Sequence, residues 1–145
     1  MANIEMTIES IRVNQVSHRR VVVLKERERE RYLDISIEPT EVDAIVVKVQ
    51  PFKMARPLTH DLICAVIGVF GGKVNGVVID EVRGDTFFAK LMVANKDGVM
   101  QFPCSPSDGM GLAIRTKAPI FVESSILDMF GLFGPGDTNP YSSKE

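Results

Sequence analysis

The sequence predicts an α+β fold: a single domain built from two duplicated strand-strand-strand-helix-helix repeats. A β-like run followed by a proline, an acidic turn and an apolar helix occurs at residues 31–48 and again at 100–115. Three positions of the first copy align with three of the second at one constant offset: Pro39, Glu41 and Lys48 with Pro106, Asp108 and Arg115. Such internal similarity indicates a duplicated unit, so we place the repeats at about 3–71 and 73–131.

The composition limits the chain to one core. With 145 residues, of which 45% are hydrophobic and 25% charged, it is long enough for one well-buried core and too short for two ordinary domains. We therefore predict one soluble domain over residues 1–131. The remaining residues, 132–145, include a segment rich in Gly, Pro, Ser and Asn, which predicts a flexible tail.

Three strands are predicted before the first helix. Ile4, Met6 and Ile8 alternate with polar residues, which indicates a half-buried strand. The apolar positions change parity near Ser10, where we expect a bulge or the end of the strand. Residues 21–24 form an unbroken apolar run suited to a central strand, and residues 33–37 alternate again after a charged turn.

Two helices complete the first repeat. Pro39 takes a first helical position, and apolar residues at spacings of three and four predict a helix over about 39–50. Thr59 is the predicted cap of the second helix, which ends at the glycine pair 71–72. The stretch 62–70 is apolar on nearly every side. We expect it to be buried between layers or at a contact between subunits.

The second half repeats this plan. Strands are expected near 73–82, 86–94 and 98–104, with a hairpin turn at 96–98. Ser105 caps the next helix and Pro106 occupies its first position. A last helix is expected at about 123–130.

Charge and cysteine content narrow the class of protein. The net charge of −2 provides no general attraction to a phosphate backbone, which argues against a nonspecific nucleic-acid binder. Cys64 and Cys104 lie in apolar surroundings without metal-ligand spacing, which predicts free thiols in a reducing compartment. The N-terminus alternates in polarity from its start, and no apolar run approaches bilayer length, so we expect a cytoplasmic protein without a membrane partner.

Carboxylates at the two helix starts are candidate metal ligands. Glu41 and Asp108 occupy equivalent positions in the two repeats. Phosphodiester cleavage commonly uses a divalent cation such as Mg²⁺ held by carboxylates. Acidic residues at a helix start also cap the helix and complement its dipole, so both interpretations stay open.

The segment around His60 offers a second candidate site. Histidine can accept or donate a proton at neutral pH, and Asp61 follows it directly. Arg56 lies close enough in sequence to share a phosphate-facing corner with His60. The competing interpretation is a surface histidine in a first helical turn, with Thr59 and Asp61 in capping roles.

A run of alternating charge covers residues 25–31. If it continued as a strand, one side would be basic and could bind nucleic acid. The alternative is a solvated hairpin tip whose mixed charges discourage edge pairing.

Several motifs in this order resemble the bifunctional nuclease (BFN) family, once called a domain of unknown function. They occupy residues 31–41, 56–62, 86–91, 105–108 and 115–121, and the resemblance covers about residues 3–131. Family members commonly have Arg-Pro-Ser-Asp-Ala where this chain has Ser105 to Gly109, so a phosphate-binding arginine is missing at that helix start.

The resemblance implies a nuclease that cleaves DNA or RNA phosphodiesters, with metal assistance. For such a nuclease we predict His60, Asp61 and Glu41 as catalytic residues grouped with Arg56, because only the first half retains both a cation and a titratable base. Arg56 and Arg115 are the predicted substrate-binding residues, and Glu41 and Asp108 the predicted metal ligands.

Two other functions are compatible with the sequence. One is a noncatalytic interaction or regulatory module that forms a homo-oligomer, and the other is a small-ligand binder that holds an anion at a helix start. We expect self-association through the second helix or through the helix containing Gly109 and Gly111. The alternative is that these glycines fit beneath a strand of the same chain.

Overall fold

Seven strands and three helices make up the described part of the computed structural model, which covers residues 2–13, 20–37 and 58–133. The strands are β1 (Asn3–Val13), β2 (Arg20–Glu26), β3 (Tyr32–Ile37), β4 (Lys73–Arg83), β5 (Thr86–Asn95), β6 (Gly98–Cys104) and β7 (Ile120–Glu123). The helices are α1 (Thr59–Val69), α2 (Pro106–Thr116) and α3 (Ser124–Phe130). The predicted α+β class is confirmed.

The strands form one mixed sheet in the order β3-β2-β1-β7-β4-β5-β6. Each predicted group of three strands is an antiparallel meander, and the expected bulge is present as a register shift between Ile8 and Ser10. Strand β7 was not predicted. It lies between the meanders, antiparallel to β1 and parallel to β4, and thereby joins both halves of the chain into one sheet.

The duplicated repeat stays a prediction. The helix expected at 39–50 and the connection after it lie outside the described residues, as does the tail from residue 134. In the second half, β7 separates α2 from α3, so this half contains an element that the strand-strand-strand-helix-helix pattern lacks.

The core lies between the sheet and the helices α2 and α3. Met110 and Ala113 of α2 and Ile126 and Leu127 of α3 pack with buried side chains from the strands. Beyond α3, Leu132 is buried, and its backbone pairs with Tyr32 of β3. Leu132 therefore belongs to the fold, one residue beyond the predicted boundary at 131.

Helix α1 packs against α2 but buries none of its own residues. The predicted burial between layers is therefore wrong within this chain, while the alternative, a subunit contact, stays a prediction. The predicted cap is also wrong by one residue, because Leu58 is the N-cap. The Asp61 carboxylate accepts a hydrogen bond from the Leu58 backbone N–H at 3.0 Å. The predicted end at Gly71 is confirmed by its positive φ of 83°.

The charged run forms an exposed turn between β2 and β3. Arg27 pairs with Glu5 at 2.9 Å, and Arg31 pairs with Glu26 at 3.0 Å and with Asp128 at 3.2 Å. These pairs support the hairpin-tip interpretation, because they engage two of its cations with carboxylates of the same chain. None of the described helices has the length and apolarity needed to cross a membrane.

Candidate functional site

The starts of α1 and α2 bring together a histidine and an aspartate. The Nε2 atom of His60, in the first turn of α1, lies 2.9 Å from the Oδ1 atom of Asp108, in the first turn of α2. The histidine side chain is 13% exposed and the aspartate side chain 57% exposed. His60 is thus largely buried, whereas Asp108 is in contact with solvent.

Local sequence fixes the position of Asp108. Ser105 is the N-cap of α2, and its hydroxyl accepts a hydrogen bond from the Asp108 backbone N–H at 3.2 Å. Pro106 occupies the first helical position, as predicted. The Asp108 side chain pairs with His60 instead of closing a capping box on its own helix, so its role extends beyond the predicted cap.

A buried ion pair fixes the position of α1 against α2. The Nε atom of Arg115 donates to Asp61 Oδ1 at 2.8 Å, and Arg115 Nη1 donates to the Gly111 carbonyl at 3.0 Å. The Arg115 side chain is only 3% exposed. Because Asp61 also accepts from the Leu58 N–H, its carboxylate connects the first turn of α1 to the last turn of α2.

Gly111 provides the space in which the His60 ring lies. A Cβ atom at residue 111 would be 3.0 Å from His60 Cδ2, tighter than an ordinary side-chain contact. Gly109 is also explained within the chain, since a Cβ there would collide with Val77 of β4. Gly109 therefore fits beneath a strand of the same chain, as the alternative to self-association held, whereas Gly111 fits beneath a side chain of α1.

A groove of about 620 Å³ leads to the His60–Asp108 pair. It runs between α1 and the strands β5 and β6, and most of its lining is apolar, including Ile63, Phe70 and Phe102. Cys104 also lines the groove, and burial raises the pKa of its thiol to about 11. The paired imidazole and carboxylate therefore line a mostly apolar groove, together with the polar side chains of Thr59 and Asn95.

The predicted site residues fall into two groups. His60, Asp61, Asp108 and Arg115 meet where α1 contacts α2, whereas Glu41 and Arg56 lie outside the described residues. The predicted grouping of His60 with Glu41 and Arg56 therefore stays a prediction. The sequence interpretation missed that His60 pairs with Asp108 from the second half of the chain, although both were identified as residues at helix starts.

The described residues alone do not form a metal centre. Between residues 58 and 133, and in the two earlier described segments, no three His, Cys, Asp or Glu side chains cluster closely enough to hold a cation. Asp108 would need further oxygen ligands, and Glu41, the other predicted ligand, is outside the described part. A divalent cation at this site stays a prediction.

Comparison with known proteins gives one family match and two relatives. The sequence model of a family described as "Bifunctional nuclease domain" matches residues 22–133. Two uncharacterized proteins of Mycobacterium tuberculosis, from strains CDC 1551 and H37Rv, are each 35% identical to the chain over 135 residues. Each alignment covers 93% of this chain and 80% of the relative. The matched segment contains the His60–Asp108 pair and the Asp61–Arg115 pair.

Proposed function

This chain belongs to the bifunctional nuclease domain family, and from that premise we propose that it is a nuclease that hydrolyses DNA or RNA phosphodiesters. The observation that carries the proposal is the 2.9 Å contact between His60 and Asp108, both of which line the groove. An oriented imidazole is a suitable general base for the water that attacks phosphorus.

Asp108 has the orienting role in this proposal. With His60 Nε2–H donating to the carboxylate, Nδ1 is the nitrogen that takes a proton from the attacking water. The carboxylate then stabilises the imidazolium that forms, as it does in other histidine–carboxylate pairs. The new P–O bond forms as the bond to the leaving oxygen breaks, and the imidazolium or solvent returns a proton to that oxygen.

Asp61 and Arg115 support this pair. Their ion pair holds α1 against α2, so we propose that they keep His60 within reach of Asp108. The predicted contribution of Asp61 to catalysis is part of the same proposal. Arg115, whose side chain is only 3% exposed, would act through Asp61 and not by contact with a substrate.

The remaining predicted residues would bind the phosphate of the substrate and a divalent cation. Arg56 would bind a phosphate, and Glu41 with Asp108 would hold a divalent cation such as Mg²⁺, whose charge would offset the phosphate oxygens. The proposed cytoplasmic location is consistent with nucleic acid as the substrate. Because the net charge is −2, we expect weak, salt-sensitive binding of nucleic acid.

A nuclease assay on the purified protein tests the proposal. Single-stranded DNA, double-stranded DNA and RNA are incubated at low salt with Mg²⁺ or with EDTA, and cleavage is compared between wild type and variants. We expect His60→Ala and Asp108→Asn each to lower the rate by about 100-fold or more. Asp128→Ala is the matched control, since it removes an exposed aspartate that pairs with Arg31 at another part of the surface.

Two outcomes contradict the proposal. One is wild-type protein that cleaves none of the three substrates under either condition. The other is cleavage that persists unchanged in His60→Ala and Asp108→Asn, which would assign the activity to a contaminant or to another site.

The second candidate function is a noncatalytic, homo-oligomeric interaction or regulatory module that keeps the family fold. The observation that favours it is the exposure of α1, none of whose apolar side chains is buried in the described part of the structure. Equal inactivity of wild type and His60→Ala would favour this candidate over the nuclease.

A further inference from the structure

A continuous apolar surface covers the outer side of α1 and the adjacent side of β6. It consists of seven large side chains that are between 37% and 84% exposed: Leu62, Ile63, Val66, Val69, Phe70, Met100 and Phe102. Five of the seven line the same groove, so the helix and strand parts are contiguous. We name these seven residues the α1–β6 surface.

The exposed area of the α1–β6 surface is large for a monomer. With roughly 200 Å² for each fully exposed large side chain, the seven residues present on the order of 800 Å². The largest apolar patch on a typical monomer is about 300–600 Å². A stable dimer buries about 800 Å² on each partner, so the area fits one dimer interface.

The charge of α1 favours a second protein surface over a membrane. Helices that lie on anionic membranes are rich in lysine and arginine on their polar face. Helix α1 contains neither residue, and Asp61, its one acidic residue, is paired with Arg115. A self-complementary contact through this helix would therefore bring no like charges of α1 together.

We propose that the α1–β6 surface binds a second copy of this chain in a two-fold symmetric dimer. Leu62, Val66 and Phe70 are spaced four residues apart, so they form one stripe along α1 with Val66 at its centre. In a two-fold dimer each surface contacts the same surface of the partner. Two antiparallel α1 helices then place Val66 next to the axis and Leu62 opposite Phe70 of the other copy.

The dimer would place the two candidate sites close to its axis. His60 precedes Val66 by six residues, which corresponds to about 9 Å along the helix. This inference stands on the exposed surface and does not depend on nuclease activity.

Light scattering on the full chain measures the oligomeric state directly. We expect a dimer mass at micromolar concentration for wild type and a monomer mass, half as large, for Val66→Lys, because lysine would bury an unpaired charge beside the axis. Val99→Lys is the matched control. Val99 is a similarly exposed valine on β6 (55% against 48% for Val66), but it alternates with Met100 and therefore faces away from the groove.

Cross-linking tests the placement of the axis. A Val66→Cys variant should form a disulfide between copies under mild oxidation, whereas Val99→Cys should not. Far-UV circular dichroism identifies any variant that has lost its fold. If Val66→Lys is unfolded, Val69→Lys, at an 83% exposed position, takes its place in the light-scattering measurement.

Two outcomes overturn the proposal. Wild type could be monomeric at micromolar concentration, or a dimer could persist in both Val66→Lys and Val69→Lys. A monomeric wild type that instead sediments with phosphatidylglycerol vesicles would assign the surface to a membrane.

Discussion

Gly111 leaves the space that the His60 ring occupies, because any side chain at residue 111 would have its Cβ 3.0 Å from His60 Cδ2. The glycine lies in α2, about one turn after Asp108, and the histidine lies in the first turn of α1. The absence of a side chain on one helix therefore sets the position of a proposed catalytic group on the other.

Gly111→Ala should impair the site while leaving the fold intact. The added methyl group would displace the His60 ring by a few tenths of an ångström and lengthen its contact with Asp108. We expect nuclease activity to fall by about 10- to 100-fold, since small misplacements of reacting groups have large effects on rate. The side-chain NMR signals of His60 provide a second measurement that does not require activity.

Gly68→Ala is the control for the glycine substitution. No atom lies within 4 Å of a Cβ at residue 68, which is inside α1. Alanine should therefore raise the free energy of unfolding by about 1 kcal/mol and leave activity unchanged. Equal activity in both alanine variants would contradict the proposed role of Gly111.

Asp61→Ala should destabilise the fold by about 3 kcal/mol. The substitution leaves the buried Arg115 guanidinium without the carboxylate it contacts at 2.8 Å and also removes the hydrogen bond to the Leu58 N–H. Urea unfolding measures the change. Asp128→Ala, which breaks an exposed pair with Arg31, should cost less than about 1 kcal/mol. Similar losses in the two variants would show that the Asp61–Arg115 pair contributes no more than a surface pair.

Gly109→Ala should lower the free energy of unfolding by about 1–3 kcal/mol, because its methyl group would collide with Val77 in the core. Val77→Ala alone should also destabilise, by loss of buried volume. The double variant should be more stable than the sum of the two losses predicts. Additive losses would indicate that residue 109 does not pack against Val77.

The stability of the protein should fall in alkaline solution in part through Cys104. Burial, followed by the nearby charge of Asp108, raises the pKa of this thiol from near 9 to about 11. Between these values the unfolded chain loses the proton while the folded chain keeps it, so the free energy of unfolding decreases as pH rises.

Cys104→Ala should reduce this alkaline decline, as measured by urea unfolding from pH 8 to pH 11. Tyr32 is a second group with a raised pKa, about 12, caused first by its hydrogen bond to Glu30. Tyr32 is present in both wild type and Cys104→Ala. The difference between their slopes of unfolding free energy against pH therefore measures the contribution of Cys104. Parallel stability curves would rule out the proposed contribution.

Elements with strong local signals were predicted well. The alternation around Met6, the Ser105 cap followed by Pro106, and the glycine after Phe70 each depend on neighbouring residues, and the structure confirms all three. Strand β7 was missed because four residues are too few for a clear alternation. Its place in the sheet depends on pairing with β1, which is more than 100 residues earlier in the sequence.

The candidate site was only partly predictable for the same reason. His60 and Asp108 were each identified as residues at a helix start, but their contact depends on how α1 packs against α2 across 48 residues of sequence. The missing side chain at Gly111 is informative only once the two helices are placed together. For helix α1, the apolar sequence predicted burial either between layers or at a subunit contact, and no local signal distinguishes these two possibilities.

The position of β7 has a consequence for the order of events during synthesis. The β1–β2–β3 meander leaves the ribosome first, but the free edge of β1 acquires its partner only after residues 120–123 have emerged. A nascent chain thus carries an unpaired strand edge until β7 has been synthesised, and such edges are sites of aggregation. Completion of the sheet must therefore wait for β7, which closes the gap between the two meanders by pairing with β1 and β4.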